Sequence, residues 1–304
     1  MNLAPVLVFT YKRLEPLKQS IEALKKNVLA KESNLYIFSD GAKNDSDREQ
    51  VKSVREFLKD VSGFKSITIK EAEVNKGLAN SIIQGVTEVL ENHNEVIVLE
   101  DDLLTTPNFL TFMNQALNKY RNSASVFSIS GYSFDLGECT YENSDAYFLE
   151  RGWSWGWATW KNKWSDVDWK VKDYDSFRRD KRRQRAFAKG GSDLNKMLRN
   201  QMNGLLDSWA IRWFYYQYKV KGLTLYPVRS KVYNNGFDNS ATHTNGSDRR
   251  YRPLLDTEHS LEFQLPDAVA IHPYYHEKFS LKMGLRARII SKVETLILKV
   301  KNSL

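Results

Sequence analysis

Three consecutive carboxylates, Glu100-Asp101-Asp102, directly follow an apolar run at residues 96–99. Three adjacent negative charges repel one another and are costly unless a positive group offsets them. A divalent cation with oxygen ligands, Mg²⁺ or Mn²⁺, would do so and could also neutralise a diphosphate. Because side chains alternate along a strand, Glu100 and Asp102 are expected to point one way and Asp101 the other. The alternative is an acidic turn that caps the next helix.

A second group with chemical potential is the alternating series Trp153, Trp155 and Trp157. If this segment is extended, the three rings share one face, and flat aromatic faces suit the apolar faces of sugar rings. Arg151, just before them, could contact a phosphate or a substrate hydroxyl. The alternative for the tryptophans is a packed ridge of the core, and the sequence favours neither interpretation.

The elements that must position these groups begin with a regular alternation of short apolar runs and longer amphipathic segments. The pattern predicts strands at 6–9, 35–39, 66–69, 95–99 and 126–130, and helices at 14–28, 47–58, 78–90 and 106–120, the last with Pro107 in its first turn. This order predicts an α/β fold with a mainly parallel central sheet and helices on both faces. Ligands bind such sheets at the carboxyl ends of strands. Thr10, Asp40 and residues 100–102 end strands and are therefore the candidates for chemistry.

The alternation stops after about Gly131. Helices are predicted near 176–189, 195–206 and 208–219, a short strand at 224–228, and a long polar loop at 234–247. We interpret residues 1–130 and 131–280 as two halves of one domain. Long polar loops in compact domains are often lids.

Composition limits the partners and the compartment. The chain has 304 residues, a formal net charge of +8 and a sequence pI of about 9.2. A basic balance favours anionic partners such as nucleotides, nucleic acid or acidic lipid head groups. With the single cysteine Cys139, no intramolecular disulfide can form, which fits a cytoplasmic protein. Neither a signal peptide nor a membrane span is expected.

The last segment, residues 281–304, is predicted to be a basic amphipathic helix. Its apolar and basic positions are Ile289, Ile290, Val293, Ile297 and Val300, and Lys282, Arg286, Arg288, Lys292, Lys299 and Lys301. This pattern favours a helix that lies on an anionic membrane surface, at the inner face of the cytoplasmic membrane. The alternative is a helix packed on the domain with a solvated basic face.

The carboxylate cluster also carries a family resemblance. Glu100-Asp101-Asp102-Leu103, followed by Thr106-Pro107-Asn108-Phe109, resembles the Glu-Asp-Asp form of the Asp-x-Asp motif of N-acetylglucosaminyltransferase I and related GT-A enzymes. Segments 5–13 and 37–41 are similar to the first two strands of that family. The segment Trp-Gly-Trp-Ala-Thr-Trp at 155–160 is similar to one in bacterial family-2-type transferases of surface polysaccharide pathways. The resemblance covers about residues 5–245 and implies a GT-A (Rossmann-like) fold.

The resemblance implies roles for the matching residues. Asp102 would be the principal ligand of Mn²⁺ or Mg²⁺. Donor binding would fall to residues near the base, ribose, phosphates and sugar, namely Thr10, Tyr11, Arg13, Asp40, Asn75, Glu100 and Asp101. Simpler alternatives exist, because Arg13 could pair with Glu15, Asp40 begins an ordinary turn, and Asn75 could belong to a loop before a helix.

On the acceptor side, the resemblance implies a catalytic base. Inverting transfer needs a group that takes the proton of the attacking hydroxyl. Asp207-Ser208-Trp209 is similar to the aspartate before a tryptophan that has this role in the related enzymes. Asp207 could instead cap the helix that follows, and Asp166 and Asp168 are rival bases in a more turn-like context. His243, in the polar loop, would contact the metal or a phosphate.

These features together predict a metal-dependent, inverting glycosyltransferase that moves a hexosyl or N-acetylhexosaminyl group. Its donor would be a nucleotide sugar, with UDP-sugars favoured, and its acceptor a glycan or lipid-linked glycan, bound through Arg151, Trp153, Trp155 and Trp157. The alternatives are a non-catalytic carbohydrate-binding protein, which would not need the carboxylates, and a basic nucleic-acid-binding protein, which would not explain them. A nucleotidyltransferase is disfavoured because no Gly-rich, Lys-containing loop follows the first strand.

Overall fold

In the computed structural model of this chain, residues 3–141, 143–236 and 249–290 are described. The strands are β1 (Val6–Thr10), β2 (Asn34–Ser39), β3 (Ser66–Glu71), β4 (Glu95–Glu100), β5 (Leu103–Thr105), β6 (Val126–Ser130), β7 (Ala146–Leu149), β8 (Trp157–Trp160), β9 (Leu223–Pro227) and β10 (Val232–Asn234). The helices are α1 (Leu14–Lys25), α2 (Arg48–Lys59), α3 (Leu78–Asn92), α4 (Phe109–Tyr120), α5 (Lys161–Trp164), α6 (Tyr174–Phe177), α7 (Lys181–Phe187), α8 (Leu194–Met202), α9 (Trp209–Lys219) and α10 (Pro273–Met283).

One central sheet runs through both halves of the chain. Its eight strands lie in the order β3-β2-β1-β4-β8-β6-β9-β7. The first four strands are parallel to one another, whereas β8 is antiparallel to both β4 and β6. The α/β fold with a mainly parallel central sheet is therefore confirmed. A separate antiparallel ribbon joins β5 to β10, directly after the carboxylate cluster.

Helices cover both faces of this sheet, because the side chains of β1 alternate between two cores. Val6 and Val8 pack in one core, with residues of α1, α2 and α4. Leu7 and Phe9 pack in the other, with residues of α3 and α9. All five residues of β1 are buried, which is typical of a central parallel strand.

Two segments differ from the predicted elements for local reasons. The basic stretch predicted as one helix at 176–189 is divided between α6 and α7, because the Asp180 side chain accepts hydrogen bonds from the backbone N–H groups of Arg182 and Arg183 and starts a new helix. The helix predicted from residue 106 begins at Phe109, with Asn108 at its N-cap, so Pro107 precedes the first turn.

The C-terminal segment is described only to residue 290. After α10 the backbone of Gly284 is extended, and residues 285–290 are helical. Among the residues that the structure describes, no helix is both long and apolar enough to cross a membrane.

Candidate active site

The carboxyl ends of β1, β2 and β4 bring the predicted donor residues to one edge of the sheet. Thr10 ends β1, Glu100 ends β4, and Asp40 follows β2. The backbone N–H of Asp40 donates to the carbonyl oxygen of Thr10 over 3.0 Å, which extends the pairing of the two strands to this edge. The sequence prediction that chemistry-bearing residues meet here agrees with the geometry.

Asp101 and Asp102 both face the segment that follows β1. Asp101 Oδ2 accepts hydrogen bonds from Thr10 Oγ1 at 3.0 Å and, more weakly, from the backbone N–H of Tyr11 at 3.4 Å. Arg13 Nη1 lies 2.8 Å from Asp102 Oδ2. The strand alternation behind the expected directions of Asp101 and Asp102 does not reach them, because β4 ends at Glu100 and the next two residues form a turn. The alternative pairing of Arg13 with Glu15 is not the one observed.

Negative charge is crowded at this turn. Burial raises the pKa of Glu100 to about 8, and the charges of Asp102 and Asp101 add to the effect, while Arg13 opposes it. Burial and the charge of Asp102 raise the pKa of Asp101 to about 7, against opposing effects of Arg13, Thr10 and Tyr11. One guanidinium therefore offsets only part of the charge, and a bound cation would relieve the rest.

Asp40 clamps the loop that leads into α3. Its Oδ1 accepts from the backbone N–H groups of Gly41 and Lys76, at 2.9 and 2.8 Å. Its Oδ2 accepts from Asn75 Nδ2 at 3.1 Å and from the backbone N–H of Gly77 at 3.0 Å. Asn75 also donates to the carbonyl oxygen of Gly41. The sequence missed this positioning role, and contact of Asp40 or Asn75 with a nucleotide stays a prediction.

Tyr11 is held by a residue that sequence reasoning did not select, Asp47. Tyr11 Oη donates to Asp47 Oδ2 at 2.7 Å, and Lys12 Nζ lies 2.7 Å from Asp47 Oδ1. Hydrogen bonds from Lys12 and Tyr11 lower the pKa of Asp47, and burial together with the bond to Asp47 raises the pKa of Tyr11 to about 12. The only sequence signal for Asp47 was an acidic residue at the predicted start of a helix.

A cleft of about 730 Å³ opens beside Gly41, between α2 and the ends of β2 and β3. Cationic side chains along it include Lys43, Arg48 and Lys52. Thr10, Asp102 and Asp207 do not line this cleft. The candidate site is therefore the region where these side chains converge, and the cleft lies outside it.

Asp207 reaches the same edge from the other half of the chain. A Cβ built on Gly77 would lie 3.2 Å from Asp207 Oδ2, which places the carboxylate against the loop that Asp40 clamps. The side chain of Ser208, not that of Asp207, caps α9 by accepting from the backbone N–H of Ile211. The Asp207 side chain is 58% exposed, with Arg212 Nη2 3.9 Å away. Its carboxylate is thus accessible and is not used as the helix cap.

The polar loop after β10 starts against the carboxylate cluster. The backbone N–H of Asn235 donates to the carbonyl oxygen of Asp102 at 2.9 Å. A Cβ on Gly236 would lie 2.1 Å from Asp102 Oδ2, so only glycine fits this close approach. Residues 237–248, including His243, lie outside the described residues, and the role of His243 stays a prediction.

The three alternating tryptophans do not share a face. Gly156 has a φ of +62°, which turns the chain just before β8 begins at Trp157. Trp153 and Trp155 pack on one core and Trp157 on the other. The prediction that Trp157 contacts an acceptor is wrong, because its ring is 1% exposed and stacks against Trp164 and Trp209. Trp153 is also buried, so the half-buried Trp155 is the member of the series that remains a candidate.

Arg151 is a structural residue in this fold. It is buried, and its Nη1 and Nη2 donate to Asp193 Oδ1 and Oδ2 at 2.8 and 3.0 Å. A bidentate pair of this kind occupies both carboxylate oxygens of Asp193 and both terminal nitrogens of Arg151 inside the protein. The expectation that Arg151 contacts a phosphate or substrate hydroxyl is therefore wrong. Of the rival bases, Asp168 accepts from the backbone N–H groups of Lys170 and Lys172 and is a turn residue.

The described residues contain no group of three or more His, Cys, Asp or Glu side chains arranged to hold a metal ion. The Asp102 side chain is 17% exposed, and its Oδ2 lies 2.8 Å from Arg13 Nη1. These residues fit a metal ion that binds one protein carboxylate. The remaining positions of its coordination shell would be filled by a bound ligand and by water.

Comparison with solved structures finds weak overall similarity to two proteins. The chain has 13% identity to S. aureus TarS, with a TM-score of 0.37, over 55% of this chain and 30% of that one. It has 14% identity to the mannosyltransferase PcManGT from Pyrobaculum calidifontis in complex with GDP-Man and Mn²⁺, with a TM-score of 0.30, over 44% of this chain and 36% of that one. The chain thus spans about a third of each.

A search of curated proteins finds no significant match. None of these findings bears on the resemblance to N-acetylglucosaminyltransferase I, which stays a prediction. A family model, by contrast, matches more than half of the chain. The model described as glycosyl transferase family 2 matches residues 6–185, from β1 through α7, and so includes the strand ends that carry Thr10, Asp40 and Glu100. The chain therefore belongs to glycosyl transferase family 2.

Proposed function

We propose that this glycosyltransferase is metal-dependent and inverting, and that it moves a sugar from a nucleoside-diphosphate sugar, with UDP-sugars favoured, to a glycan or lipid-linked glycan acceptor in surface polysaccharide synthesis. The observation that carries the proposal is the convergence of the carboxylate turn after β4 with the segment after β1, where Asp101 bonds Thr10 and Asp102 pairs with Arg13. We divide the domain into a donor half, residues 1–130, and an acceptor half, residues 131–280.

The donor half offers the nucleotide several complementary groups. Tyr11 and Arg13 lie beside the carboxylate turn, where a ring and a guanidinium suit a base and a phosphate. Asp40 and Asn75 hold the neighbouring loop rigid, so that a bound nucleotide meets a preformed surface. Glu100 and Asp101 lie on the inner side of the turn and are assigned to the transferred sugar or the ribose.

A divalent cation, Mn²⁺ or Mg²⁺, would be held by Asp102 together with the diphosphate of the donor. When bound, it supplies positive charge that stabilises the leaving nucleoside diphosphate. The crowded charges of Glu100 and Asp101 support this assignment, since Arg13 offsets them only in part. His243 is assigned to the same metal or phosphate.

The acceptor half supplies the base. In the proposed reaction the acceptor oxygen forms a bond to the anomeric carbon while the bond from that carbon to the diphosphate oxygen breaks. The acceptor proton moves to Asp207, and the electron pair of the breaking bond leaves with the nucleoside diphosphate. The exposed carboxylate of Asp207 beside Gly77 supports this role. A general base must come within hydrogen-bond distance of the reacting hydroxyl, and an exposed carboxylate is accessible to it.

The test of this proposal is a panel of nucleotide sugars offered to the full chain, with Mn²⁺ and with a chelator. We expect one donor to bind and to be hydrolysed slowly by water, only when metal is present. Anomeric configuration of the product, read by proton NMR, tests inversion. Equal binding of every donor with chelator would contradict the metal assignment. Absence of donor binding under all conditions, with retained glycan binding, would favour a carbohydrate-binding protein.

We also propose that the C-terminal helix contacts an anionic membrane surface. Leu285 and Ile289, four positions apart, lie on one face of this helix, and they and Ile290 are 67%, 53% and 59% exposed. Arg286 is also exposed. Arg288 Nη1 donates to Ser192 Oγ at 3.4 Å and helps to dock the helix on the domain. An apolar face flanked by cations, on a chain of net charge +8, suits acidic lipid head groups.

Co-sedimentation with lipid vesicles tests this surface. We expect the protein to bind vesicles containing phosphatidylglycerol and not vesicles of phosphatidylcholine alone. The double change Leu285→Gln and Ile289→Gln should weaken vesicle binding by about tenfold or more, because it removes apolar side chains that would be buried in the lipid. Leu205→Gln is the matched control, since Leu205 is an equally exposed leucine on another part of the surface. Unchanged vesicle binding by the double variant would overturn the assignment.

A further inference from the structure

Most buried cations of this fold are matched with a carboxylate. Arg151 pairs with Asp193, and Lys231 pairs with Asp256. Arg250 differs from both. Its Nε and Nη1 are shielded from water and have no hydrogen-bond partner, and no salt bridge within the described ranges joins it to an acid. Its one hydrogen bond runs from Nη2 to the hydroxyl of Tyr251. Two nitrogens of this guanidinium thus carry hydrogen atoms that no described residue accepts, which is costly for buried polar groups.

The position of Arg250 is fixed by the aromatic side chains around it. Tyr132 Oη donates to the carbonyl oxygen of Tyr251 at 2.7 Å, which anchors the turn that carries Arg250. The Arg250 guanidinium lies 4.6 Å from the centre of the Tyr251 ring. The Tyr251 ring in turn lies 5.7 Å from that of Trp155. Arg250, Tyr251 and Trp155 are all half-buried, so together they present a patch of mixed aromatic and cationic character to solvent.

The electrostatic surroundings of Arg250 favour an anion. Burial lowers the pKa of Lys282, Asp135 raises it, and the positive charge of Arg250 lowers it again, so the two cations are close enough to feel each other. Lys282 Nζ is already bonded to the carbonyl oxygen of Asp135 at 2.8 Å. An oxyanion beside Arg250 would satisfy its donors and reduce the repulsion between the two cations.

This patch lies next to the proposed active site. Trp155 is followed by Gly156, and a Cβ on Gly156 would lie 3.3 Å from Leu99 Cδ2 and 2.7 Å from Val232 Cγ2. Leu99 precedes Glu100 at the end of β4, and Val232 begins β10, which leads to the residues that cover Asp102. A sugar on Trp155 would therefore be within reach of the edge of the sheet where transfer is proposed.

We propose that Arg250, with the half-buried side chains of Trp155 and Tyr251, forms an acceptor subsite for an acidic sugar, one that carries a carboxylate or a phosphate group. The sugar ring packs on the aromatic side chains, and the oxyanion accepts hydrogen bonds from the guanidinium. This assignment rests on the proposed function in placing the patch on the acceptor side. It adds the chemical class of the acceptor, which the family does not specify.

The experiment measures binding of the full chain to an array in which each neutral oligosaccharide is paired with a uronic-acid counterpart and a phosphorylated counterpart. We expect the acidic members to bind about tenfold or more tightly than their neutral partners, which is the usual gain from a hydrogen-bonded ion pair. Preference for uronates or for phosphates identifies the oxyanion. Equal binding of acidic and neutral partners would overturn the proposal.

Variants assign the preference to this residue. Arg250→Gln should remove it, and Arg250→Lys should retain part of it because the charge remains. Arg252→Gln, a matched loss of charge at an exposed position two residues on, should leave it intact. An acid preference that survives in Arg250→Gln would contradict the assignment. Unfolding temperature and donor hydrolysis by water, measured on the same variants, show that the fold and the donor site are unchanged.

Donor hydrolysis also separates the two proposals. Hydrolysis without acid preference would leave the transferase standing and remove the subsite. Acid preference that depends on Arg250, in a chain that neither binds nor hydrolyses any donor, would leave the subsite standing and remove the proposed transfer reaction.

Discussion

The donor edge of the sheet and the aromatic segment around Trp155 lie side by side, but different interactions place their side chains. At the donor edge, each important residue ends a strand or follows one, as Thr10, Asp40 and Glu100 do. In the aromatic segment, a single glycine conformation decides the outcome. Gly156 turns the chain, so that Trp155 stays on one side of the sheet and Trp157 enters the other core.

This difference shows which sites can be inferred from local pattern. Parallel strands place their carboxyl ends together whatever the loops do, so strand ends predict a site. Neighbouring aromatic residues outside a strand carry no such guarantee, because one residue with a positive φ reverses their directions. The placement of side chains is therefore set by topology at the proposed donor edge and by packing at the proposed acceptor side.

The largest effect that separates the two tryptophans is on stability. Trp157→Ala should lower the free energy of unfolding by about 3–5 kcal/mol, because it removes a fully buried ring from a stack of tryptophans. Trp155→Ala should cost about 1–2 kcal/mol, since that ring is half-buried, and should instead raise the KM for the acceptor. Urea denaturation and acceptor titrations give the two readouts. Equal losses of stability would show that both rings belong to the core.

The next effect concerns Asp207, the proposed catalytic base. Asp207→Asn should reduce transfer by roughly 100- to 1000-fold, the contribution of a general base, while donor binding is retained. Asp166→Asn is the matched control, because Asp166 is an exposed carboxylate of the same half. Initial rates and donor binding are measured on both variants. A full rate in Asp207→Asn, or an equal loss in Asp166→Asn, would move the base elsewhere.

A smaller, pH-dependent effect concerns the buried contact that ties the halves together. Asp256 accepts hydrogen bonds from Lys231 and, at 2.8 Å, from Asn108 Nδ2 at the start of α4. Burial by itself would raise the pKa of Asp256, but these hydrogen bonds outweigh it and bring the pKa to about 2. Because the folded pKa is below the unfolded value, the stabilisation is present above about pH 4 and lost as pH falls towards 2.

The comparison is between wild type and Asp256→Asn. Their difference in unfolding free energy should shrink by at most about 2 kcal/mol between pH 4 and pH 2. Urea denaturation at several pH values measures it, and the subtraction removes the contributions of other carboxylates. A difference that stays constant over this range would mean that the pKa of Asp256 is not lowered in the folded protein.

Much of the donor half could be predicted from the sequence. Each predicted strand before residue 131 is present, with bounds that shift by a residue or two, because apolar runs between amphipathic helices leave few alternatives. The site residues of this half meet where the alternation of strands and helices indicated. The pattern did not reveal that both carboxylate oxygens of Asp40 accept hydrogen bonds from the loop before α3, since those partners lie 36 and 37 residues away in sequence.

The acceptor half could be predicted only in outline. The helix after Asp207 was expected, but β7, β8 and the ribbon of β5 with β10 were not, since these strands are short and pair with partners distant in sequence. The assignments of Arg151 and Trp157 failed because burial and ion pairing depend on three-dimensional neighbours. The sequence did not single out Arg250. Its two guanidinium nitrogens without a hydrogen-bond partner are apparent only in the structure.

The most direct test of the proposed donor and metal site is donor binding by Asp102→Asn. This change keeps the shape of the side chain and removes the charge that pairs with Arg13. Calorimetry with the donor identified for wild type, in Mn²⁺ and in chelator, gives the readout, with Asp45→Asn as an exposed control. We expect wild type and Asp45→Asn to bind the donor only when metal is present, and Asp102→Asn to lose this metal-dependent donor binding. Metal-dependent binding by Asp102→Asn equal to that of wild type would contradict the assignment of this edge as the donor and metal site.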